Sequence, residues 1–392
     1  MLVFVSDLHL RAGAGGGLAR KAQLARLWQR IEGGRPDAPV KLVLLGDIFD
    51  LVRTPAWLDV PEKPYHEPSP ELAARVKGIV DATIAEASLF FEFLRGRVEE
   101  GSLEIEYVLG NHDRLLAHSP AARGAIRTAL GLRGGDAPFP TTLVFPEERV
   151  LAYHGHVVDK LCFDPGGGPA LGDMVASELI VRFPAEIRRR LGMDDERLDD
   201  IDDVRPILAV PSWVRSLATG DAGDLGVGVI RTWRDLVDEF LENAHVKTWL
   251  ADHHEPYKLD FAQRFRLLLG LSARAKPRDE PRLTNLYYLL FRLLDVRFAE
   301  SAVRALEEPE HRSLQYVVNG HTHFAGMRPL GLVNGQPACY FNTGTWRTLH
   351  QLGNVARGRP AFMAYDAAAY LVFYAPGDEL GRRFEFWQGA GG

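Results

Sequence analysis

KLVLLGDIFD, residues 41–50, decides how this chain is read. The short aliphatic run from Lys41 to Leu45 has the make-up of a buried strand, and it ends on Gly46, Asp47 and Asp50, a turn that carries two carboxylates. Runs of the same kind, each closing on Asp, Asn, Gly or His, recur at Leu2 to Val5, Glu104 to Leu109, Val150 to Tyr153 and Leu314 to Val318. Helical periodicity fills the gaps between the first three, at Leu18 to Ile31 and Glu71 to Val98, so the first half reads as an α/β unit. In such a unit the polar strand ends gather on one side, where open sheets bind ligands.

Five of these ends pair metal-ligand side chains: Asp7 with His9, Asp47 with Asp50, Asn111 with His112, His154 with His156, and His321 with His323. Any one of them alone is an ordinary cap or loop residue. Together they form a donor set. Side chains two apart on a strand share a face, so Asp7 and His9, or His321 and His323, are expected to aim two ligands at one point. Mixed carboxylate and imidazole donors suit first-row ions, Mn first and Fe, Zn or Co as alternatives, better than Ca or Mg.

The ordered blocks DLH at Asp7, GDIFD at Gly46, GNHD at Gly110, HGH at His154 and GHTH at Gly320 resemble the signature of the calcineurin-like metallophosphoesterases. The match covers residues 2–160 and 314 to about 350. The resemblance implies an α+β fold, a four-layer α/β/β/α sandwich with a dimetal centre at one end. By motif position, Asp7, His9 and His323 bind one divalent transition-metal ion, Asn111, His154 and His321 the other, and Asp47 bridges them. A hydroxide between the ions is then the nucleophile on phosphorus. His112 is the general acid, with Asp50 orienting its ring, although Asp50 also reads as a structural acceptor. Asp113 reads equally as a turn or helix cap. His156, expected on the same strand face as His154, is a phosphate-facing residue or a ligand in another register.

From 159 to 310 the chain turns to amphipathic helices broken near Gly166 to Gly168, Pro211, Gly220 to Gly228 and Lys276 to Pro281. This divides the chain into a core (1–158), a helical cap insertion (159–310) and a second core segment (311–392) with strands at Cys339 to Asn342, Ala361 to Tyr365, Tyr370 to Tyr374 and Phe384 to Trp387. The proline-rich stretch Pro55 to Pro70 is expected to be an ordered loop beside the site. The plan resembles bacterial UDP-2,3-diacylglucosamine hydrolases, which carry a helical lid in the same interval. Those enzymes commonly have Arg where His112 stands, and shorter lids. In the cap, Trp213, Trp233, Phe240, Trp249, Phe265, Leu267 to Leu269, Tyr287, Tyr288 and Phe291 form a helix core or line an apolar chamber. His253, His254 and Arg188 to Arg190 read as surface residues, and Arg347 as a substrate contact.

Composition narrows the function. A net charge of −6 over 392 residues gives no broad attraction for nucleic acid or anionic lipid. Cys162 and Cys339 are the only cysteines, without a CxxC pair, so no thiolate zinc site or disulfide framework is expected. The start at Leu2 to Val5 lacks the marks of a signal peptide, and the longest apolar stretches, such as Leu286 to Leu294, are too short or too interrupted to span a bilayer. A soluble cytoplasmic hydrolase is expected, acting on a phosphodiester or pyrophosphate bond of a small or lipid-like phosphorylated molecule. The alternatives are a nuclease, a cyclic-nucleotide phosphodiesterase or a non-enzymatic scaffold. Leu51 and Val52 after Asp50 differ from the Arg-Gly typical of protein phosphatases and dinucleoside tetraphosphatases.

Overall fold

Alternation of side chains along the first strands sets the layering. In the computed structural model, which describes residues 1–13, 27–29, 39–220, 224–254, 261–275, 280–353, 361–375 and 381–391, the strands β1 (Leu2–Val5), β2 (Val40–Leu45) and β3 (Leu103–Val108) pair in parallel. Val3, Val5, Leu42, Leu44, Ile105 and Tyr107 face one way, into a core shared with the helices Pro70–Glu86, Ser88–Glu99 and Pro120–Leu130. Leu2, Phe4, Val43, Leu45 and Val108 face the other way. There they meet side chains of a second sheet, among them Val150, Ala152, Val318 and Phe341.

That second sheet is built from β4 (Thr142–Phe145), β5 (Val150–Tyr153), β7 (Tyr316–Asn319), β8 (Gly326–Val333) and β9 (Gln336–Asn342), in the order β4-β5-β7-β9-β8. Its far face, through Leu151, Val317 and Tyr340, packs on Phe298, Ala302 and Leu306 of the long helix Glu280–Glu307. The first sheet is completed by β6 (Val204–Arg205), β10 (Thr348–Gly353), β11 (Ala361–Phe373) and β12 (Phe384–Gly391). Both sheets mix parallel and antiparallel pairs, so the chain is a mixed α/β structure. Among the described residues no helix is long and apolar enough to cross a membrane.

Several expectations change in detail. The helical stretch Glu71 to Val98 is two helices, because buried Ala87 leaves helical geometry (φ −93°, ψ 23°) between them. Ala361 to Tyr365 and Tyr370 to Tyr374 are one strand, whose halves pair with β10 and with β1. Most of Leu18 to Ile31 lies outside the described residues. The Pro55 to Pro70 loop is ordered: Trp57 is buried and donates from Nε1 to Leu51 O (2.8 Å), and Tyr65 reaches Glu178 Oε1 (2.8 Å).

Residues 159–310 are mainly helical, but they are not a separate body. Val204–Arg205 pairs in parallel with β10, so the insertion lends an edge strand to the first sheet. The end of Glu280–Glu307 lies under the second sheet. A two-residue strand between an acidic run and Pro206 carries no periodic signal, which is why the sequence hides it.

Phe341 is fully buried between the sheets, against Phe373, Phe384 and Phe386. Phe341→Ala is expected to cost about 3–5 kcal/mol of stability, measured by denaturant unfolding; a loss under about 1 kcal/mol would mean this interface is not a packed core.

Candidate metal centre

Each motif sits where a strand has run out of partners. β1 stops at Val5 and β2 at Leu45, and the backbones beyond stay side by side through Asp7 N→Gly46 O (3.1 Å), His9 N→Asp47 O (2.9 Å) and Leu10 N→Ile48 O (2.8 Å). The expected strand-face geometry for the ligands is therefore corrected. Asp7 (φ 53°), His9 (47°), Asp47 (54°), His321 (73°) and His323 (64°) all take the left-handed conformation in turns, not the extended one. Such a residue costs of order 1 kcal/mol and persists only where its surroundings fix it. Here the fixing is done by crossed hydrogen bonds: His321 N donates to Asp7 Oδ2 (3.0 Å) and His112 N to Asp47 Oδ1 (2.8 Å). Gly46 leaves the space that His154 needs, since a Cβ there would stand 2.5 Å from His154 Nδ1.

The turns bring two donor groups together. Ligand atoms of Asp7, His9 and His323 lie within 4.8 Å of one another, as do those of Asp47, His154 and His321. His9 Nε2 and His323 Nε2 face each other at 3.0 Å, and His323 Nε2 lies 3.4 Å from Asp7 Oδ1. His321 Nδ1 is 3.0 Å from Asn111 Oδ1, which adds Asn111 to the second group. All seven residues predicted as ligands thus meet in one region.

The protonation of His154 tests whether a cation fits. Its Nδ1 lies 2.9 Å from Leu45 O, a carbonyl that only accepts, so Nδ1 carries the hydrogen and Nε2 is left as a lone pair. That lone pair stands 3.1 Å from Asp47 Oδ2. Among the described residues, neither His154 Nε2 nor Asp7 Oδ1 has an aligned hydrogen-bond partner. Two electron-rich atoms that close need positive charge between them. From protein groups alone it comes as a proton: burial disfavours charged His154, yet Asp47 and Asp7 outweigh it and raise the imidazole to about 10. Burial opposes ionised Asp47 as well, but His154 and His112 hold its carboxyl well below the usual range. A divalent ion would satisfy the same atoms, and both groups could hold one.

Asp50 lies beneath, fully buried, and accepts from His112 Nδ1 (2.8 Å) and Arg53 Nε (2.9 Å), with His9 Nδ1 3.1 Å from its carboxylate and 2.9 Å from Arg53 Nη2. It both orients His112 and acts as a structural acceptor. Burial would push it up, but Arg53 and His112 hold it well below the ordinary carboxylate range. Asp113 does not cap the following helical turn; it ties the Gly110 to His112 loop by accepting from Gly110 N (2.5 Å), Ile48 N (3.1 Å) and Tyr107 OH (2.8 Å). Burial and Asp47 raise it to about 7.

His156 is corrected: β5 ends at Tyr153, Gly155 reverses the chain (φ 107°), and His156 begins a helical turn outside both donor groups. Arg347 is corrected too. It is buried, binds Asp203 through two bonds (2.6 and 2.8 Å), and does not line the cavity above the site. His254 is exposed as expected, whereas half-buried His253 stacks on Trp249 (3.8 Å). Arg188, Arg189 and Arg190 are taken up by Asp199, Glu186 and Asp235.

The sequence reading missed the charges brought in from the insertion and from neighbouring loops. Arg11 pairs with Asp202, Arg53 Nη1 donates to Asp202 O (2.9 Å), and Arg205 Nη2 stands 2.6 Å from His323 Nδ1. The one available signal was the acidic run Asp199 to Asp203 just before Arg205.

Above the donors opens a cavity of about 1120 Å³. Asp47, Asn111, His112, His321 and His323 form one wall, while Ile180, Ile207, Phe265, Leu268 and Tyr287 of the insertion supply an apolar one. Arg53 and Arg205 also line it. The cap's aromatic residues therefore divide. Trp213, Trp233, Phe240 and Trp249 are core, Phe265 and Tyr287 reach both the core and the cavity, and Leu267 is exposed. The side chains of Tyr288 and Phe291 lie outside those described.

No protein-family model matches the chain, and no curated protein matches it.

Asp47→Ala is expected to abolish retention of divalent metal through dialysis, and Asp50→Ala to weaken it about 10- to 100-fold, read by elemental analysis and calorimetric titration. Full retention in Asp47→Ala would show that these donors share no cation. Arg347→Ala strands buried Asp203 and is expected to cost about 3–5 kcal/mol at pH 7. Burial would raise Asp203, but Arg347 and Arg205 hold it below its ordinary value. The pair's stabilisation is thus present above the unfolded carboxylate pKa, about 3.9, and is lost as pH falls through the lower folded value. The gap between Arg347→Ala and the parent protein should narrow in acid unfolding curves below that point.

Proposed function

We propose that this chain is a dimetal-dependent phosphoesterase of the calcineurin-like kind, cleaving a phosphodiester or pyrophosphate bond in an amphiphilic phosphorylated substrate. The observation that carries the reading is the convergence of Asp7, His9, Asp47, Asn111, His154, His321 and His323, from five separate loops, into two adjacent donor groups under one cavity. In this reading Asp7, His9 and His323 would hold one transition-metal ion, Asn111, His154 and His321 would hold the other, and Asp47 would serve both. The alternation of side chains into three core layers supports the four-layer sandwich that goes with the family.

When bound, such ions act as Lewis acids and bring the pKa of a water down to about 7. The residues do the rest. Asp47 and the crossed amide bonds fix the spacing of the two groups. His112 lines the cavity with its Nδ1 held by Asp50, so its Nε2 is the atom that gives a proton to the leaving oxygen. Arg53 and Arg205 put positive charge beside the reacting phosphate, and the apolar wall excludes water from it. A cavity of this size with Phe265, Leu268 and Ile207 on one side suits a hydrocarbon-bearing molecule better than a nucleotide or nucleic acid.

A panel of aryl phosphates, diesters, sugar-nucleotides and phospholipid-like esters assayed with Mn should show turnover. His112→Ala is expected to lower kcat by about 10²- to 10⁴-fold with metal content unchanged. No hydrolysis of any class by metal-loaded protein would overturn the enzymatic reading.

A further inference from the structure

Beside the second donor group lies another that the dimetal reading leaves unused. Ligand atoms of Asp159, Cys162 and His321 lie within 4.8 Å of one another, and all three residues line the cavity. His321 Nε2 is already 3.3 Å from Asp159 Oδ2, on the opposite side of the ring from Asn111. The turn that presents Cys162 is held by Cys162 N→Asp159 O (3.0 Å), Leu161 N→Asp159 Oδ1 (2.9 Å) and Gly172 N→Leu161 O (2.6 Å). Gly172 has to be glycine for this packing, because a Cβ there would stand 2.8 Å from Leu161 O and 3.3 Å from Cys162 Sγ.

We propose that Cys162, Asp159 and His321 form a third cation site, for a thiophilic divalent ion such as zinc or cadmium, whose filling draws His321 away from the dimetal centre. One thiolate and one carboxylate balance a dication, and sulfur selects a softer ion than the oxygen-rich centre does. The coupling follows from the imidazole itself. A neutral ring has a single lone pair. If Nε2 gives it to the third ion, the proton sits on Nδ1, which then donates to Asn111 Oδ1 instead of joining it as a ligand. The thiol proton leaves to solvent as the ion binds. The site itself does not depend on the phosphoesterase reading; only the effect on the dimetal centre does.

Full-length protein loaded with Mn and titrated with cadmium should show thiolate-to-cadmium ultraviolet absorption saturating at one equivalent. Cys162→Ser should abolish it, Asp159→Asn should weaken binding about tenfold or more, and Cys339→Ser should leave it intact. Free Mn, followed by its electron paramagnetic resonance signal, should rise in step with the absorption in the parent protein and not in Cys162→Ser. No absorption, or absorption that survives Cys162→Ser, would overturn the site. Absorption without Mn release would overturn the coupling. Activity enters neither readout, so a chain with no phosphoesterase turnover still decides the matter.

Discussion

The burial of carboxyl groups is the constraint on which this molecule is built. Asp7, Asp47, Asp50 and Asp113 are all within 1% of complete burial, crowded against His9 and His154 at the ends of the strands. Ionised carboxylates withdrawn from water cost several kcal/mol each unless positive charge and donors surround them. The local architecture answers that demand. Arg53 compensates Asp50, Tyr107 and two backbone amides serve Asp113, and the amides of His112 and His321 serve Asp47 and Asp7. Among the described residues, Asp7 Oδ1 and His154 Nε2 are left without an aligned hydrogen-bond partner at this centre.

The same constraint explains the left-handed turns. A strand offers side chains at intervals set by its pleat, too regular to bring carboxylates and imidazoles from five loops to one point. Turning the chain sharply just past each strand end re-aims the donors, and the strain is offset by hydrogen bonds between neighbouring loops. Asp and His tolerate that conformation better than β-branched residues, and none of the five positions is β-branched.

What could be read from the sequence, and what could not, divides along this line. The strands were legible because a buried strand needs a short apolar run, and β1, β2, β3 and β5 were found within a residue or so of their limits. The donor residues were legible because their chemistry sits within a few positions of those runs. The geometry of the turns was not, since nothing in the letters of Asp7 or His321 distinguishes extended from left-handed backbone. Arg53, Arg205, Asp202 and Asp203 were equally hidden. Their burial is a property of distant segments meeting, and by composition alone each is an ordinary surface charge.

β6 bears on how anything enters or leaves. Because Val204–Arg205 is paired with β10, and Asp202 and Asp203 are bound by Arg11 and Arg347, the middle of the insertion is tied to the core as well as its two ends. A roof fastened in the middle cannot swing open like a hatch. The chamber beneath it thus has one stretch of wall, Arg205 to Ile207, anchored through the sheet, and another supplied by Phe261–Arg274 and Glu280–Glu307.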